Sequence, residues 1–474
     1  MSRTRGLLPG LAVLALATAV RLPGLAGLSL ETDELGTIWD ATRLAGPSVN
    51  GPGILARPVY YVLQHLLLSL GPASPLALRI PALVFGLVGV WATWWVGTRL
   101  FGGAAGTVAA LLVALSPWHQ YASQFARYWT LVYLLAVLGY YLLIRTRIDP
   151  RPRTLVLTAL VLALGALTHP TFVLPMVGAV LALHILPPAT PGDAWRLRLP
   201  TADAWRWLWI PLVVAVGGWI VGLKLTGNAG ALGNFRGRGL AATIGAVLGM
   251  VQWVTPEVLA AGALGAALLV WRGVDGDERR WGLMALGGLA SGGVLIVASG
   301  IRNDVYADYG MAMLPLVYLT AGALVGRMVR MPSPASPAIA GIAVVTLLVA
   351  ELPGLASNWR DGMRFDYRPA FAYVEAHGAQ RLVLGPSQAM QRHYAPTLQF
   401  QELGGTTESL AGALVRTGGY WLIISRHRNG WSGGDEDMRS WADANCRVMS
   451  RSGAARFDYR QYDVDLAWCG SGAP

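Results

Sequence analysis

Charge is what this sequence has least of. Only 13% of its 474 residues are Asp, Glu, Lys or Arg, where a soluble domain carries nearer a quarter. Hydrophobic residues make up 54%, and the mean hydropathy is +0.47. The apolar stretches show no period-two alternation, which excludes a membrane β-barrel. They come instead in runs of about 20 residues, the length a helix needs to cross about 30 Å of hydrocarbon. Glycine is abundant, at 58 residues, but without the spacing of a phosphate-binding loop, so a soluble nucleotide-sugar finds no site. The span centres are nearly free of acids and the two halves show no internal repeat. Both absences weigh against a transporter or lipid flippase. There are two cysteines, Cys446 and Cys469.

The net charge of +11 does not point to nucleic acid, because the arginines sit mainly in short loops between apolar runs. Spans are expected near 7–26, 78–100, 104–118, 128–146, 153–169, 171–187, 205–223, 256–272, 282–300, 310–327 and 337–353. The first is read as a retained anchor, since no small-x-small cleavage site precedes the acidic loop after it. The segments 57–70 and 239–253 are apolar but short, and are read as interfacial helices. Counting 57–70 as a span would reverse every later loop. With it interfacial, arginine-rich loops such as "RTRIDPRPR" and "WRGVDGDERR" fall inside, and the N-terminus is cytoplasmic.

The expected fold is therefore a polytopic α-helical membrane protein of about 11 transmembrane helices, followed by a soluble domain. Residues 1–353 form the membrane domain, with an outer loop at 27–56, and residues 354–474 the extracytoplasmic α/β domain. In that tail, helix-like "RPAFAYVEAHG", "ESLAGALVRTG" and "DEDMRSWADANC" alternate with strand-like "RLVLG", "YWLIIS" and "RVMS". An oxidising compartment permits a Cys446–Cys469 disulfide, the alternative being two buried thiols.

Chemistry-bearing residues gather in the outer loops. Asp33 and Glu34 lie in the first. Arg57, Tyr60 and Tyr61 open the interfacial helix. His119, Gln124, Arg127 and Tyr128 lie in the next outer loop, and His169 ends the fifth span. A carboxylate can take a proton from an acceptor, and an arginine can hold a phosphate. Each residue also has an ordinary reading. Asp33 and Glu34 suit a helix N-terminus, Arg127 an interfacial anchor, and His119 and His169 polar caps on spans. Asp304 and Asp308 read as solvated loop charges.

In order and spacing these stretches resemble the GT-C membrane glycosyltransferases, in the branch of protein O-mannosyltransferases and lipid A aminoarabinose transferases. The resemblance rests on "TDELGTIWDA", "RPVYYVLQHLLLSLG", and the long run "LALRIPALVFGLVGVWATWWVGTRLFGGAAGTVAALLVALSPWHQYASQFARYWTLVYLL". It covers residues 1–190 well and is looser to 353. It implies transfer with inversion from a polyprenyl-phosphate-linked sugar to a hydroxyl on a glycan, lipid or protein, at the outer face of a bacterial inner membrane. Asp33 would be the general base or orient the acceptor. Glu34 would support it or help bind a divalent cation. Arg127 would pair with the donor phosphate, with Arg57, Tyr60, Tyr61, Gln124, Tyr128 and His169 completing the donor site. The chain departs from the family pattern at Ala56-Arg57-Pro58, where many relatives have His-Pro-Pro, and at 307–311, where relatives often have an Arg-Tyr pair. A catalytically inactive scaffold is therefore a second alternative to the enzyme, beside the transporter.

Overall fold

The computed structural model describes residues 6–42, 57–71, 74–149, 151–186, 196–197, 253–273, 276–300, 307–362, 364–403, 406–426, 435–452 and 463–472, with isolated positions between 213 and 248. The chain divides into two compact units. The first comprises 1–23 and 40–355, the second 24–39 and 356–474.

In chain order the helices up to residue 361 are α1 (Leu8–Arg21), α2 (Thr32–Thr42), α3 (Pro58–Leu68), α4 (Pro75–Phe101), α5 (Gly103–Leu115), α6 (Pro117–Ser123), α7 (Trp129–Ile148), α8 (Pro152–Thr168), α9 (Val173–Ala182), α10 (Pro256–Arg272), α11 (Gly276–Gly300), α12 (Leu314–Arg330) and α13 (Ser336–Asp361). Several starts follow from proline in the first helical turn, where its missing N–H has no helical partner to lose. Pro58, Pro75, Pro117, Pro152 and Pro256 all sit there. Ser74 adds a side-chain cap on the Ala77 N–H. A two-residue antiparallel ladder, β1 (Ile185–Leu186) with β2 (Arg196–Leu197), follows α9.

Among the described residues four helices, α4, α7, α11 and α13, are long and apolar enough to cross a membrane. Of the other expected spans, 205–223 falls almost wholly outside the described residues, as does the interfacial segment 239–253. The rest coincide with helices, some shorter than expected. The run expected at 104–118 ends at Leu115, because Ser116 leaves the helix and its hydroxyl caps the next one, α6, at the His119 N–H. Helix α3 has 11 residues, a rise of about 16 Å, too short to cross about 30 Å of hydrocarbon.

Helices in the first unit approach closely where side chains vanish. A Cβ on Gly97 of α4 would lie 2.7 Å from the Gly106 Cα of α5, and one on Gly287 of α11 would lie 2.6 Å from the Gly178 carbonyl of α9. In a membrane such contacts supply packing that hydrophobicity alone cannot. Helix α13 leaves Ile339, Ile342, Val345, Val349 and Leu352 exposed, the apolar surface a lipid-facing helix presents.

The second unit continues with α14 (Arg368–His377), β3 (Val383–Gly385), α15 (Gln388–Tyr394), β4 (Phe400–Glu402), α16 (Thr407–Thr417), β5 (Gly419–Arg426), α17 (Asp435–Asn445), β6 (Cys446–Ser452) and β7 (Asp463–Gly470). Its mixed sheet has the order β4-β3-β5-β7-β6. The β4-β3-β5 half is parallel, and β7 and β6 are antiparallel to their neighbours. Leu384, Leu410, Ala413, Tyr420, Leu422 and Ala467 form its core. Every alternation of helix and strand expected in the tail is present. Cys446 and Cys469 are directly paired across β6 and β7, and their sulfurs are joined as a disulfide. Residues 24–39 group with the C-terminal unit, which resumes at 356.

Candidate functional site

In the first unit the candidate donor-site residues converge on one ring, that of Tyr128. Tyr128 is buried and stands just before α7. The Arg57 guanidinium lies 4.9 Å from its centroid and that of Arg127 5.2 Å. The His169 ring stacks on it at 4.7 Å with planes 19° apart, and Tyr60 meets it edge-on at 6.1 Å. Arg127 donates to the Tyr61 hydroxyl at 3.1 Å. Tyr60 and Tyr61 belong to the first turn of α3, whose N-cap is Arg57, so Pro58 sets the helix start that brings all three together. His169 follows the last residue of α8. Its Nδ1 accepts from the Thr171 N–H and hydroxyl, which leaves the ring proton of the neutral form on Nε2.

Two cations here share one aromatic face partner. Each gains about 0.5–2 kcal/mol from the ring, but they repel each other, and Arg57 is acted on by Arg127. Among the described residues the other groups acting on Arg57 are Tyr61, Tyr128 and Tyr309, with no carboxylate among them, and its buried Nε has no hydrogen-bond partner there. An anion would relieve both the repulsion and that open donor.

Gln124 is placed differently from the other donor-site candidates. Its amide donates to the carbonyls of Arg21 at 2.8 Å and Pro23 at 2.7 Å, so it ties down the end of α1. His119 likewise serves the interior: its Nδ1 lies 2.9 Å from the buried Arg21 guanidinium. Asp308, expected as a solvated charge, is half-buried and accepts from the Trp118 indole at 3.2 Å. Asp304, like Arg302 and Tyr306, lies outside the described residues.

Asp33 and Glu34 belong to the second unit and have separate fates. Both lie in the first turn of α2. Asp33 is solvent-facing. Glu34 is fully buried, and its Oε2 accepts from the Glu31 N–H at 3.1 Å and from Arg364 Nη1 at 3.2 Å. The first bond is half of a capping box, the N3 carboxylate reaching back to the residue before the helix. A cation role for Glu34 does not fit this donor set, because its oxygen already faces a guanidinium. Among the described residues no cluster of three or more His, Cys, Asp or Glu is placed to hold a metal ion. Glu34→Ala is expected to destabilise the second unit by about 3–5 kcal/mol, because it removes the carboxylate that balances the charge of the buried Arg364. Thermal unfolding should show the loss, and the double variant Glu34→Ala/Arg364→Ala should unfold later than the single one.

Reading the sequence missed three participants. Arg364 has no local signal, being 330 residues from its partner. Trp129 and Tyr309 complete the aromatic surround of His169, at 4.7 and 5.7 Å.

Residues 52–218 match the family of dolichyl-phosphate-mannose-protein mannosyltransferases, a segment that includes Arg57, Tyr60, Tyr61, Gln124, Arg127, Tyr128 and His169. The fold is similar to that of ArnT from Cupriavidus metallidurans in the apo state, with a TM-score of 0.53 and 12% identity over 99% of this chain and 98% of that one. The same protein bound to undecaprenyl phosphate gives 0.51 and 11% over the same shares. No curated protein matches the chain. The family match covers part of the chain, and the likeness to the solved structures is one of fold.

Proposed function

We propose that this protein is an inverting glycosyltransferase that moves a hexose or pentose from a polyprenyl-phosphate-linked donor to a hydroxyl acceptor at the outer face of a bacterial inner membrane. The observation that carries this reading is the pair of guanidiniums, Arg57 and Arg127, held against Tyr128 in the segment matched by the mannosyltransferase family. The fold relative from C. metallidurans binds undecaprenyl phosphate, a ligand whose charge suits such a pair.

In this mechanism the acceptor oxygen attacks the anomeric carbon from the face opposite the phosphate. The new glycosidic bond forms as the sugar–phosphate bond breaks, and its electron pair leaves on the phosphate oxygen. Asp33 takes the acceptor proton. Arg57 and Arg127 stabilise the charge that grows on the leaving phosphate. Tyr61 orients Arg127, and the Nε2–H of His169 is a further donor beside them. No step passes through a metal ion. Tyr60 and α3 supply apolar surface for the polyprenyl chain. The N-terminus is cytoplasmic and the C-terminal unit extracytoplasmic, a reading supported by the arginine-rich inner loops and by the Cys446–Cys469 disulfide.

Purified protein in lipid is expected to bind a long-chain polyprenyl phosphate and to ignore the corresponding polyprenol. Equal binding of the two would mean that only the chain is recognised, and would remove the basis of this reading.

A further inference from the structure

We infer that Arg364 is a positioning residue for Asp33, and that the C-terminal unit serves the reaction by fixing the helical turn that carries this carboxylate. The inference rests on the reading of Asp33 as the base. Its structural ground is that residues 24–39 and 356–474 form one compact unit despite their distance in sequence.

The acidic segment is held along its whole length. Arg368 donates to the Gly27 carbonyl at 2.9 Å. The Ser29 hydroxyl donates to the Phe365 carbonyl at 3.0 Å, and the Leu30 N–H to the Tyr394 hydroxyl at 2.6 Å. Arg364 Nη1 reaches both the Ser29 carbonyl at 3.3 Å and Glu34 Oε2 at 3.2 Å. At the far end the Arg392 guanidinium lies 5.8 Å from the Trp39 ring. Gly362 allows the close approach. Its φ of +69° is left-handed, and a Cβ there would lie 2.7 Å from Leu28 Cδ2. Burial completes the grip: Leu30 and Thr37 are fully buried and Leu35 nearly so, while Asp33 faces solvent between them.

Arg364 is almost wholly buried and holds Glu34, the neighbour of Asp33. One guanidinium thus joins the segment before the helix to the first turn of the helix, with Asp33 between the two points it holds. A base must be within hydrogen-bond reach of the proton it takes. A turn released at both points would lose that placement without losing the donor site, whose residues belong to the other unit.

The test uses the full chain in lipid and follows release of polyprenyl phosphate from a polyprenyl-phosphate sugar. Arg364→Ala is expected to lower kcat on the order of 10²-fold, the cost of misplacing a catalytic group by about 1 Å, with Kd for polyprenyl phosphate changed by less than about twofold. Arg364→Lys should recover part of the rate. Added methylguanidinium should recover part in Arg364→Ala and none in the wild type. Loss of fold alone would lower the melting temperature and would give no rescue. Tyr394→Phe, which removes only the acceptor for the Leu30 N–H, should also lower kcat at unchanged Kd, and serves if Arg364→Ala does not fold. Wild-type kcat in folded Arg364→Ala, or in Tyr394→Phe where that stands in for it, overturns the positioning role while leaving the function intact. If wild type releases nothing, or if Asp33→Asn releases as fast as wild type, the underlying reading of Asp33 falls and this inference with it.

Discussion

Asp33→Asn is expected to lower the rate of polyprenyl phosphate release by about 10²–10⁴-fold, the usual contribution of a positioned general base. The substitution keeps the shape of the side chain and removes its capacity to take a proton. Fold should survive, because Asp33 faces solvent and the buried carboxylate of that turn is Glu34. A first-turn carboxylate gains about 0.3–1 kcal/mol from the helix dipole, so the stability loss should stay within that range. Affinity for polyprenyl phosphate should not change, since the base acts on the acceptor. A large fall in both rate and melting temperature would instead assign Asp33 to the scaffold.

Arg57→Met and Arg127→Met should act on the other partner of the reaction. Each removes one donor to the leaving phosphate, and loss of one such preorganised contact costs about 10²–10³ in kcat. The double variant should lose less than the product of the two, because each arginine is relieved of the other's repulsion when its neighbour goes. Methionine keeps apolar bulk over Tyr128. Binding of polyprenyl phosphate should also weaken in each variant and become less sensitive to salt. Gln124→Ala offers the contrast. Its amide holds the end of α1 through the Arg21 and Pro23 carbonyls, so its effect belongs in stability rather than in phosphate affinity.

What could be read from the sequence was what is local. Apolar runs marked the long helices, and short β-branched runs marked β3 and β5. The order of outer-loop residues picked out Arg57, Tyr60, Tyr61, Arg127, Tyr128 and His169, which converge on one ring. Strand β7 was not expected because it is buried at nearly every position, so it lacks the alternation of a half-exposed strand. Strand β4, the edge strand beside β3, has three residues, too few to carry a pattern. Glu34 reads from sequence as a ligand or a cap, and in the structure its carboxylate meets Arg364. That pairing joins distant parts of the chain, and nothing in the local composition of either part announces it. Gln124 shows the same reach: its neighbours in sequence belong to the Tyr128 cluster, while its amide meets the carbonyls at the end of α1.

The most direct measurement is release of free polyprenyl phosphate by purified wild-type protein in lipid, given several polyprenyl-phosphate sugars and an envelope extract as acceptor. Release that requires acceptor and tracks the sugar transferred is the expected result. An absence of release with every donor, by protein that still binds polyprenyl phosphate, would contradict transfer and leave a lipid-binding scaffold.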